Sequence, residues 1–476
     1  MKLLFLKNNL WIIFAIITIV FCLAIGIIKS NSDLPWFDEV YFADITHSVL
    51  QDNTLTLNVL LSPEKALIYG PVYFYTQKVV LSFLGFGMWQ FRILNIAAGI
   101  LLLIIFWIIA KKLNISKLNI CILIALIAFD SRFIFNMASG RMDLLALALF
   151  MIGWFLFQNN INRTFFLIFI AGIISSISFL TTPRIGFYFL VYILTFVIEY
   201  ITSDKRNKIL IQYLVFGFLV LVPILIWIYS TYGSIFNYSS FFFNDPLIAN
   251  HYGGSIFPVK YQIPIIVLWF ISGVYVFRSR KNILNPFLIA LFFFPVFHLI
   301  FIKEVGPYSA MMMPFIYFGI IISVNSIPKK EFSILPGIFV LYLFLFSLSS
   351  TFNNIASREF TNSDPFRTFL KSKNITNRNV LADFPYYYLL TENGNRFISF
   401  YNTKDELTEN NLNNINIEYA IISNENYIKN GELFRKLGFV VMAEYHSKKG
   451  EDFFYKIARY LKKNNRTGYD GFILKR

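Results

Sequence analysis

Long apolar runs alternate with short polar segments over the first 350 residues of the chain. The runs hold roughly 17–23 residues each, the length that a helix needs to cross about 30 Å of hydrocarbon. The first run follows Lys2 and Lys7, but it is long for a signal peptide and no small-residue cleavage site follows it. The pattern therefore predicts eleven membrane spans, at residues 10–28, 92–110, 117–135, 142–157, 164–181, 184–201, 209–230, 262–277, 284–302, 307–325 and 332–350.

Basic residues lie in alternate loops and thereby predict the orientation of the chain. With a cytoplasmic N-terminus, every inside loop carries Lys or Arg, as the positive-inside rule requires. The first outside loop, residues 29–91, is acidic instead. Eleven spans then place the C-terminal segment outside. We expect an integral membrane protein whose first outer loop and C-terminal segment face the exterior.

Charge also divides the chain into two parts. Of its 476 residues 57% are hydrophobic and 14% charged, whereas soluble proteins carry about 25% charged residues. Residues 351–476 nevertheless hold 33 of the 69 charged residues. We therefore predict a transmembrane domain at 1–350 and a soluble outer domain at 351–476. The net charge of +15 is explained by the basic loops, so we expect no nucleic-acid partner.

The C-terminal segment has the alternation of an α/β domain. Short apolar stretches (NVLADF, RFISF, IEYAIIS, GFVVMAEY and GFILK) are separated by polar, helix-like stretches. This pattern predicts a small parallel or mixed sheet. It contains no glycine-rich phosphate-binding motif. Cys22 and Cys121 lie inside apolar runs and the four histidines lack metal-ligand spacing, so the residues themselves predict no disulfide and no metal site.

The stretch PWFDEVYFAD, at residues 35–44, presents two adjacent carboxylates just outside the first span. Pro35 and Asp38 are helix-start signals, and an apolar stripe predicts an interfacial helix over 37–50. A second such helix is expected over 71–83. A carboxylate at a helix start suits a general base that takes a proton from an acceptor. The alternative is that Asp38 is a plain N-cap and Glu39 a solvated neighbour.

Further charged residues gather at the outer ends of the spans. Asp143 is a candidate to hold an acceptor or to support Asp38, and Arg141 to face a phosphate. An ion pair that closes a helix end, or a snorkelling arginine, explains the same two residues. Basic residues at outer ends oppose the positive-inside trend, which makes phosphate contacts an alternative to snorkelling at Arg92, Arg184 and Lys303. Tyr308, which precedes three methionines, could pack along a lipid tail or belong to the core.

Four stretches resemble the GT-C glycosyltransferase superfamily. They are WFDEVYFADITHSVL, YGPVYFYTQKVVLSFLGFGMWQFRILNIAAGIL, NMASGRMDLLALALF and FLTTPRIGFYFLVYIL. They are similar to the first-loop DE motif, the following aromatic segment that ends at an arginine, the AR-x-D span start and the LTK-x-P-G turn. The aminoarabinose transferases of lipid A, protein O-mannosyltransferases and dolichyl-phosphate-mannose-type transferases share these motifs. The chain departs from them at Thr182, where the family has lysine, and lacks a later arginine.

The resemblance implies a polytopic α-helical fold with a small C-terminal α/β domain. It implies an integral protein of the bacterial inner membrane that contacts membrane lipids and whose site and C-terminal domain face the periplasm or exterior. The site would transfer a sugar from a polyprenyl-phosphate donor to a glycan, lipid or protein acceptor outside the membrane. Asp38 would be the catalytic carboxylate, with Glu39 and Asp143 shaping the site. Substrate-binding residues would be Tyr41, Tyr69, Tyr73, Arg92, Arg141, Arg184, Lys303 and Tyr308. Some relatives bind a divalent metal and others need none, and the sequence does not choose between them.

Two other classes of protein would also have many membrane spans and a few charged residues. A transporter or lipid flippase would place its charges near the membrane midplane, on broken helices in repeated halves. The chain shows no two-half repeat, and its charges lie at outer span ends. A structural membrane scaffold with an outer binding domain is the third alternative, which the adjacent carboxylates do not favour.

Overall fold

The structure is a computed structural model. It describes residues 2–65, 69–158, 164–244, 263–279, 286–301, 308–326, 334–356, 362–446 and 469–476.

Helices make up the N-terminal part. In chain order they are α1 (Lys2–Ser32), α2 (Phe37–Asp52), α3 (Pro71–Leu84), α4 (Met88–Lys112), α5 (Lys117–Ala128), α6 (Ser131–Ala138), α7 (Asp143–Gln158), α8 (Phe165–Thr181), a 3₁₀ helix (Pro183–Phe189), α9 (Leu190–Thr202), α10 (Arg206–Tyr232), α11 (Ile235–Asn244), α12 (Ile263–Ser279), α13 (Pro286–Phe301), α14 (Ser309–Ser326) and α15 (Ile334–Ala356). A two-stranded ribbon, β1 (Thr56–Leu57) and β2 (Glu64–Lys65), follows α2.

Each predicted apolar run falls on one or more of these helices. Within the described ranges, four segments are long and apolar enough to cross a membrane: Leu10–Ser32, Met88–Lys112, Pro183–Thr202 and Arg206–Tyr232. Helices α5 and α6 are long and apolar enough to cross a membrane only if they form one bent span together, and the other apolar helices are shorter. The number of complete crossings stays a prediction. Phe218 and Ile226 on α10 are 66% and 64% exposed, as expected of a surface that faces lipid rather than water.

One predicted span is broken rather than straight. The run at 117–135 bends by 59° between α5 and α6. Asp130 causes the break, because its Oδ1 accepts hydrogen bonds from the backbone N–H groups of Arg132 and Phe133 and so caps α6. Its Oδ2 accepts a third hydrogen bond from the Tyr317 hydroxyl at 2.8 Å, which fixes the bend against α14.

The C-terminal domain is a mixed five-stranded sheet with short helices. Its strands lie in the order β4-β3-β5-β7-β6, with β3 parallel to β4 and β5, and β7 antiparallel to β5 and β6. The predicted mixed sheet is confirmed. In chain order the elements are α16 (Ser363–Ser372), β3 (Asn379–Ala382), a 3₁₀ turn (Phe384–Tyr386), α17 (Tyr387–Glu392), β4 (Arg396–Ser399), α18 (Phe400–Thr403), a 3₁₀ turn (Lys404–Glu406), α19 (Glu409–Ile415), β5 (Ile417–Ser423), α20 (Asn424–Lys436), β6 (Val440–Tyr445) and β7 (Gly471–Lys475).

Helix α2 lies between the membrane helices and this domain. We expected it at the membrane interface, with a polar face in water, but eleven of its sixteen residues are buried. The reason is that the C-terminal domain covers it: Phe42 and Tyr73 share one hydrophobic cluster with Tyr387 and Phe397. The backbone N–H of Ser399 also donates to the Val59 carbonyl at 2.7 Å, which joins the sheet to the first outer loop.

A buried carboxylate lies in this junction. Asp44 accepts hydrogen bonds from the Asn58 backbone N–H and, at 3.4 Å, from the Tyr387 hydroxyl. Burial raises the pKa of the Asp44 carboxyl from its ordinary value of 3.8 to about 7, despite these hydrogen bonds and the charge of Arg396. Between those values the folded protein holds a proton that the unfolded chain releases. Asp44 therefore contributes stability that is lost as pH rises through this window.

We predict that the protein is less stable at pH 8 than at pH 5, with Asp44 contributing up to roughly 2.5 kcal/mol of the difference. Asp44→Asn, which cannot ionise, should flatten this pH dependence and raise stability at pH 8. The measurement is the thermal unfolding midpoint in nanodiscs at both pH values. Asp52→Asn, at the exposed end of the same helix, is the control. An unchanged pH dependence in Asp44→Asn would contradict the assignment.

Candidate functional site

A buried arginine joins two carboxylates at the outer end of the helices. Arg141 lies in the short connection between α6 and α7 and is fully buried. Its Nη1 donates to Oδ2 of Asp38, and its Nε donates to Oδ2 of Asp143 at 2.7 Å. The guanidinium also lies over two rings, with its Cζ 5.2 Å from the centre of Trp36 and 4.8 Å from that of Tyr308. Residues from α2, from α7 and from the position just before α14 thus meet around one charge.

Both carboxylates lie in the first turn of a helix. Asp38 is in the first turn of α2 and Asp143 begins α7, so each faces a helix N-terminus, where free backbone N–H groups favour negative charge. Trp36 is the N-cap residue of α2, and no side chain caps that end. The alternative that Asp38 is a plain N-cap is therefore wrong. Its carboxylate binds Arg141 instead.

A second arginine approaches the same pair. Arg184, on the 3₁₀ helix, places its Nη1 3.9 Å from Oδ1 of Asp143, and its guanidinium stacks on Tyr308 at 4.3 Å. Arg141 Nη2, Asp143 Oδ1 and Arg184 Nη1 are all buried without a hydrogen-bond partner among the described residues. Buried polar atoms in native proteins are normally hydrogen-bonded. These three unpartnered atoms together indicate a place prepared for a polar ligand or for water.

Glu39 and Arg92 form a separate, complete ion pair. Arg92 binds both carboxylate oxygens of Glu39, at 2.6 and 2.7 Å, and its Nη1 donates to the backbone carbonyls of Ser30 and Asp33. Both side chains are 0–1% exposed. The alternative of a solvated Glu39 is wrong. Because its donors point to Glu39 and to the end of α1, this geometry does not favour the predicted phosphate contact of Arg92.

The predicted tyrosines take different positions. Tyr69 lies near enough for the charges of Asp38, Arg141 and Arg184 to act on its hydroxyl. Tyr73 has its hydroxyl bound by the amides of Gln77 and Asn95, at 2.9 and 3.3 Å, which favours a packing role.

Tyr41 and Tyr308 both lie beside Asp38, close enough to feel its charge. Lys303, the remaining predicted contact, lies outside the described residues.

Sequence reasoning missed the contribution of the C-terminal domain, to which it assigned no chemistry. The Tyr388 hydroxyl donates to Glu39 Oε1 at 3.4 Å, as Tyr387 does to Asp44. Trp36, which carries the Arg141 guanidinium on its ring, was not singled out either. The available signal was the aromatic run FPYYY in the C-terminal domain, since buried tyrosines need a hydrogen-bond partner.

The residues of the site do not fit a divalent cation. Asp38 and Asp143 are its nearest carboxylates, and the positive charge of Arg141 already lies between them. In the part of the chain that the structure describes, no three His, Cys, Asp or Glu side chains are grouped as metal ligands.

Comparisons with known proteins identify the fold. No protein-family model matches the sequence, and no curated protein matches it. Two crystal structures of ArnT from Cupriavidus metallidurans do match, one in the apo state and one bound to undecaprenyl phosphate. The chain has the ArnT fold. The TM-scores are 0.59 and 0.56, at 11% sequence identity, and the matches cover 98% of each chain. They confirm the predicted fold class, of many apolar helices with a small C-terminal sheet domain.

We predict that Glu39→Ala is strongly destabilising, because it leaves the buried charge of Arg92 without a partner, at a cost of about 3–5 kcal/mol. Removal of both charges, as Glu39→Gln with Arg92→Met, should cost less than Glu39→Ala alone. The thermal unfolding midpoint in nanodiscs reports both. Glu425→Ala, which breaks an exposed ion pair with Lys429, is the control and should change little. Equal stability of Glu39→Ala and this control would refute a structural role for the pair.

Proposed function

We propose that the protein is a glycosyltransferase that moves a sugar from a polyprenyl-phosphate donor to a lipid, glycan or protein acceptor on the outer face of the membrane. The observation that carries this proposal is the site itself: a buried carboxylate, Asp38, beside two arginines with unpartnered donor atoms. The shared fold adds support. ArnT is a GT-C glycosyltransferase, and one of the matching structures has undecaprenyl phosphate bound.

The two arginines would bind the donor phosphate. Guanidinium groups form strong, directional hydrogen bonds with phosphate oxygens. Nη2 of Arg141 and Nη1 of Arg184 have no hydrogen-bond partner in the described part of the chain, and both guanidiniums lie over the ring of Tyr308. A sugar phosphodiester carries one negative charge, and the polyprenyl phosphate that leaves carries a second. Fixed positive charges aimed at the leaving oxygen would stabilise the transition state in which that charge develops.

Asp38 would act as the general base. Its carboxylate would accept a proton from the attacking hydroxyl or amine of the acceptor as that atom bonds to the anomeric carbon. The bond between this carbon and the phosphate oxygen breaks in the same step, and polyprenyl phosphate leaves. A single displacement inverts the anomeric configuration. Asp143 would orient Arg141 and Arg184, because it lies between them with one oxygen bound to Arg141.

An apolar cavity beside Arg184 suits the tail of such a donor. It has a volume of about 590 Å³ and lies between α8, the 3₁₀ helix, α9 and α10. Gly186 and Phe189, on the same 3₁₀ helix as Arg184, line one wall, and Tyr192 and Leu221 line others. An isoprenoid chain whose phosphate binds Arg184 would therefore find an apolar surface within a few residues. A transporter would instead need its charged groups near the membrane midplane.

The arrangement of charges supports an outer location of the site. Arg92 lies near the start of α4, at the end of this helix that is close to the site. Lys111 and Lys112 lie at its other end. A helix of 25 residues is about 37 Å long, so the two ends lie on opposite sides of a bilayer. By the positive-inside rule the lysine end is cytoplasmic, and the site and the C-terminal domain then face the periplasm or exterior.

We predict that Asp38→Asn lowers sugar transfer at least about 100-fold, because the variant lacks a base for the acceptor proton. The assay uses the full chain in nanodiscs, membranes of the parent cell as the source of donors and acceptors, and mass spectrometry of the glycolipid and glycan products. Asp52→Asn, on the same helix, should retain transfer. Unchanged transfer by a folded Asp38→Asn protein would sink the proposed role.

We predict that Arg184→Gln weakens binding of undecaprenyl phosphate about 10–100-fold, the expected loss of a hydrogen bond between charged groups. The dissociation constant can be measured by microscale thermophoresis of the protein in nanodiscs. Arg206→Gln, an exposed arginine at the start of α10, should bind as the unmodified protein does. Equal affinities of the two variants for undecaprenyl phosphate would show that Arg184 does not bind the phosphate.

A further inference from the structure

A group of aromatic rings next to Asp38 takes no part in the chemistry described above. Phe37 and Tyr41 on α2 meet Phe384 and Tyr401 of the C-terminal domain. Ring centres are 5.7 Å apart for Phe37 and Tyr41, 6.1 Å for each of these with Phe384, and 5.9 Å for Phe384 and Tyr401. We call these four residues the aromatic platform.

The aromatic platform runs from the buried carboxylate to the surface. Tyr41 lies at its inner end, where its hydroxyl feels the charge of Asp38 and bonds to the side chain of Asn402. Phe37 and Phe384 are partly exposed, and Tyr401 at the outer end is 64% exposed. A tyrosine so exposed adds little to the stability of the domain. Its contact with Phe384 therefore extends the line of rings outward.

The aromatic platform and the phosphate-binding arginines adjoin at Asp38. Arg141 binds the carboxylate and lies over Trp36, whose ring centre is 5.6 Å from that of Phe37. From Phe37 and Tyr41 the platform continues to Phe384 of the C-terminal domain. In an inverting displacement the acceptor attacks the anomeric carbon from the side opposite the leaving phosphate. A general base serves that attack only if it lies beside the acceptor, and the aromatic platform is a surface beside Asp38 that leads outward to the exposed Tyr401.

We propose that the aromatic platform binds a saccharide ring of the acceptor. This inference rests on the proposed glycosyl transfer, because that reaction places the acceptor beside Asp38. The C–H face of a sugar is apolar and packs on aromatic faces, while its hydroxyl groups need hydrogen-bond partners at the ring edges. Tyr41, Asn402 and Tyr401 supply such partners around the rings.

Other occupants fit the same surface less well. An acyl chain gains nothing from the amide of Asn402 and the hydroxyls of Tyr41 and Tyr401. An extended peptide would pair with a free strand edge, but in the nearest edge strand, β4, the N–H of Ser399 already binds the carbonyl of Val59. A ring with alternating apolar faces and polar edges matches both features of the surface.

The experiment measures saccharide binding directly, by saturation-transfer-difference NMR on the full chain in sugar-free phospholipid nanodiscs. The probes are lactose, N,N′-diacetylchitobiose and α-1,6-mannobiose. We expect saturation of ring C–H protons of at least one probe. The signal should fall at least five-fold in Tyr401→Ala and be largely retained in Tyr401→Phe. Ile428→Ala, which removes an 82% exposed apolar side chain elsewhere on the same domain, is the matched control.

The outcomes are decisive in both directions. Binding of none of the three probes, or equal signals from Tyr401→Ala and Ile428→Ala, would overturn the proposal. A nitroxide on Tyr401→Cys should be relaxed by a water-soluble nickel complex; stronger relaxation by oxygen dissolved in the bilayer would make the platform a membrane anchor and also overturn it. Cys22 and Cys121 are buried and do not compete for the label.

Failure of the proposed function is distinguishable from failure of this inference. Asp38→Asn should abolish transfer while saccharide binding persists, because Asp38 is not part of the aromatic platform. If Asp38→Asn kept full transfer and Tyr401→Ala still lost saccharide binding, the role of Asp38 as general base would be refuted and the saccharide site would be supported.

Discussion

The site depends on one buried guanidinium, that of Arg141. A cation without water is stable only when paired and hydrogen-bonded, and Arg141 meets this need with Asp38 from α2 and Asp143 from α7. The requirement fixes the position of α2 against the membrane helices, since any shift would leave a buried charge alone. It also leaves one donor atom of Arg141 without a hydrogen-bond partner among the described residues, and this atom would bind the phosphate of the proposed donor.

Two further constraints hold α2 in this position. The Glu39–Arg92 pair ties its first turn to the end of α1 through backbone carbonyls. The C-terminal domain then closes over the helix with Tyr387 and Tyr388. In the proposed enzyme, a rigid frame of this kind would let a carboxylate and two arginines keep their distances while substrates exchange, which is how a preorganised site lowers a barrier.

Much of the fold could be read from the sequence because hydrophobic length and strand alternation are local signals. The sequence predicts the helices, the five strands and the grouping of Asp38, Arg141 and Asp143 at outer span ends. It does not predict which residues these side chains bind. That Arg92 binds Glu39, that Tyr317 binds Asp130 and that a tyrosine pair covers α2 depend on contacts between distant segments, and a single sequence carries no signal for such contacts. The roles of individual site residues in catalysis remain predictions.

The order of the segments along the chain has a consequence for biosynthesis. Helix α2 leaves the ribosome early, but the tyrosines that cover it come from the C-terminal domain, and β7, which lies between β5 and β6 in the sheet of that domain, is made after the other strands of that sheet. Until then Asp44 and the aromatic side chains of α2 lack the neighbours that this domain supplies. The nascent polypeptide therefore carries an unfinished centre through most of its synthesis, and maturation is completed only after β7 has left the ribosome.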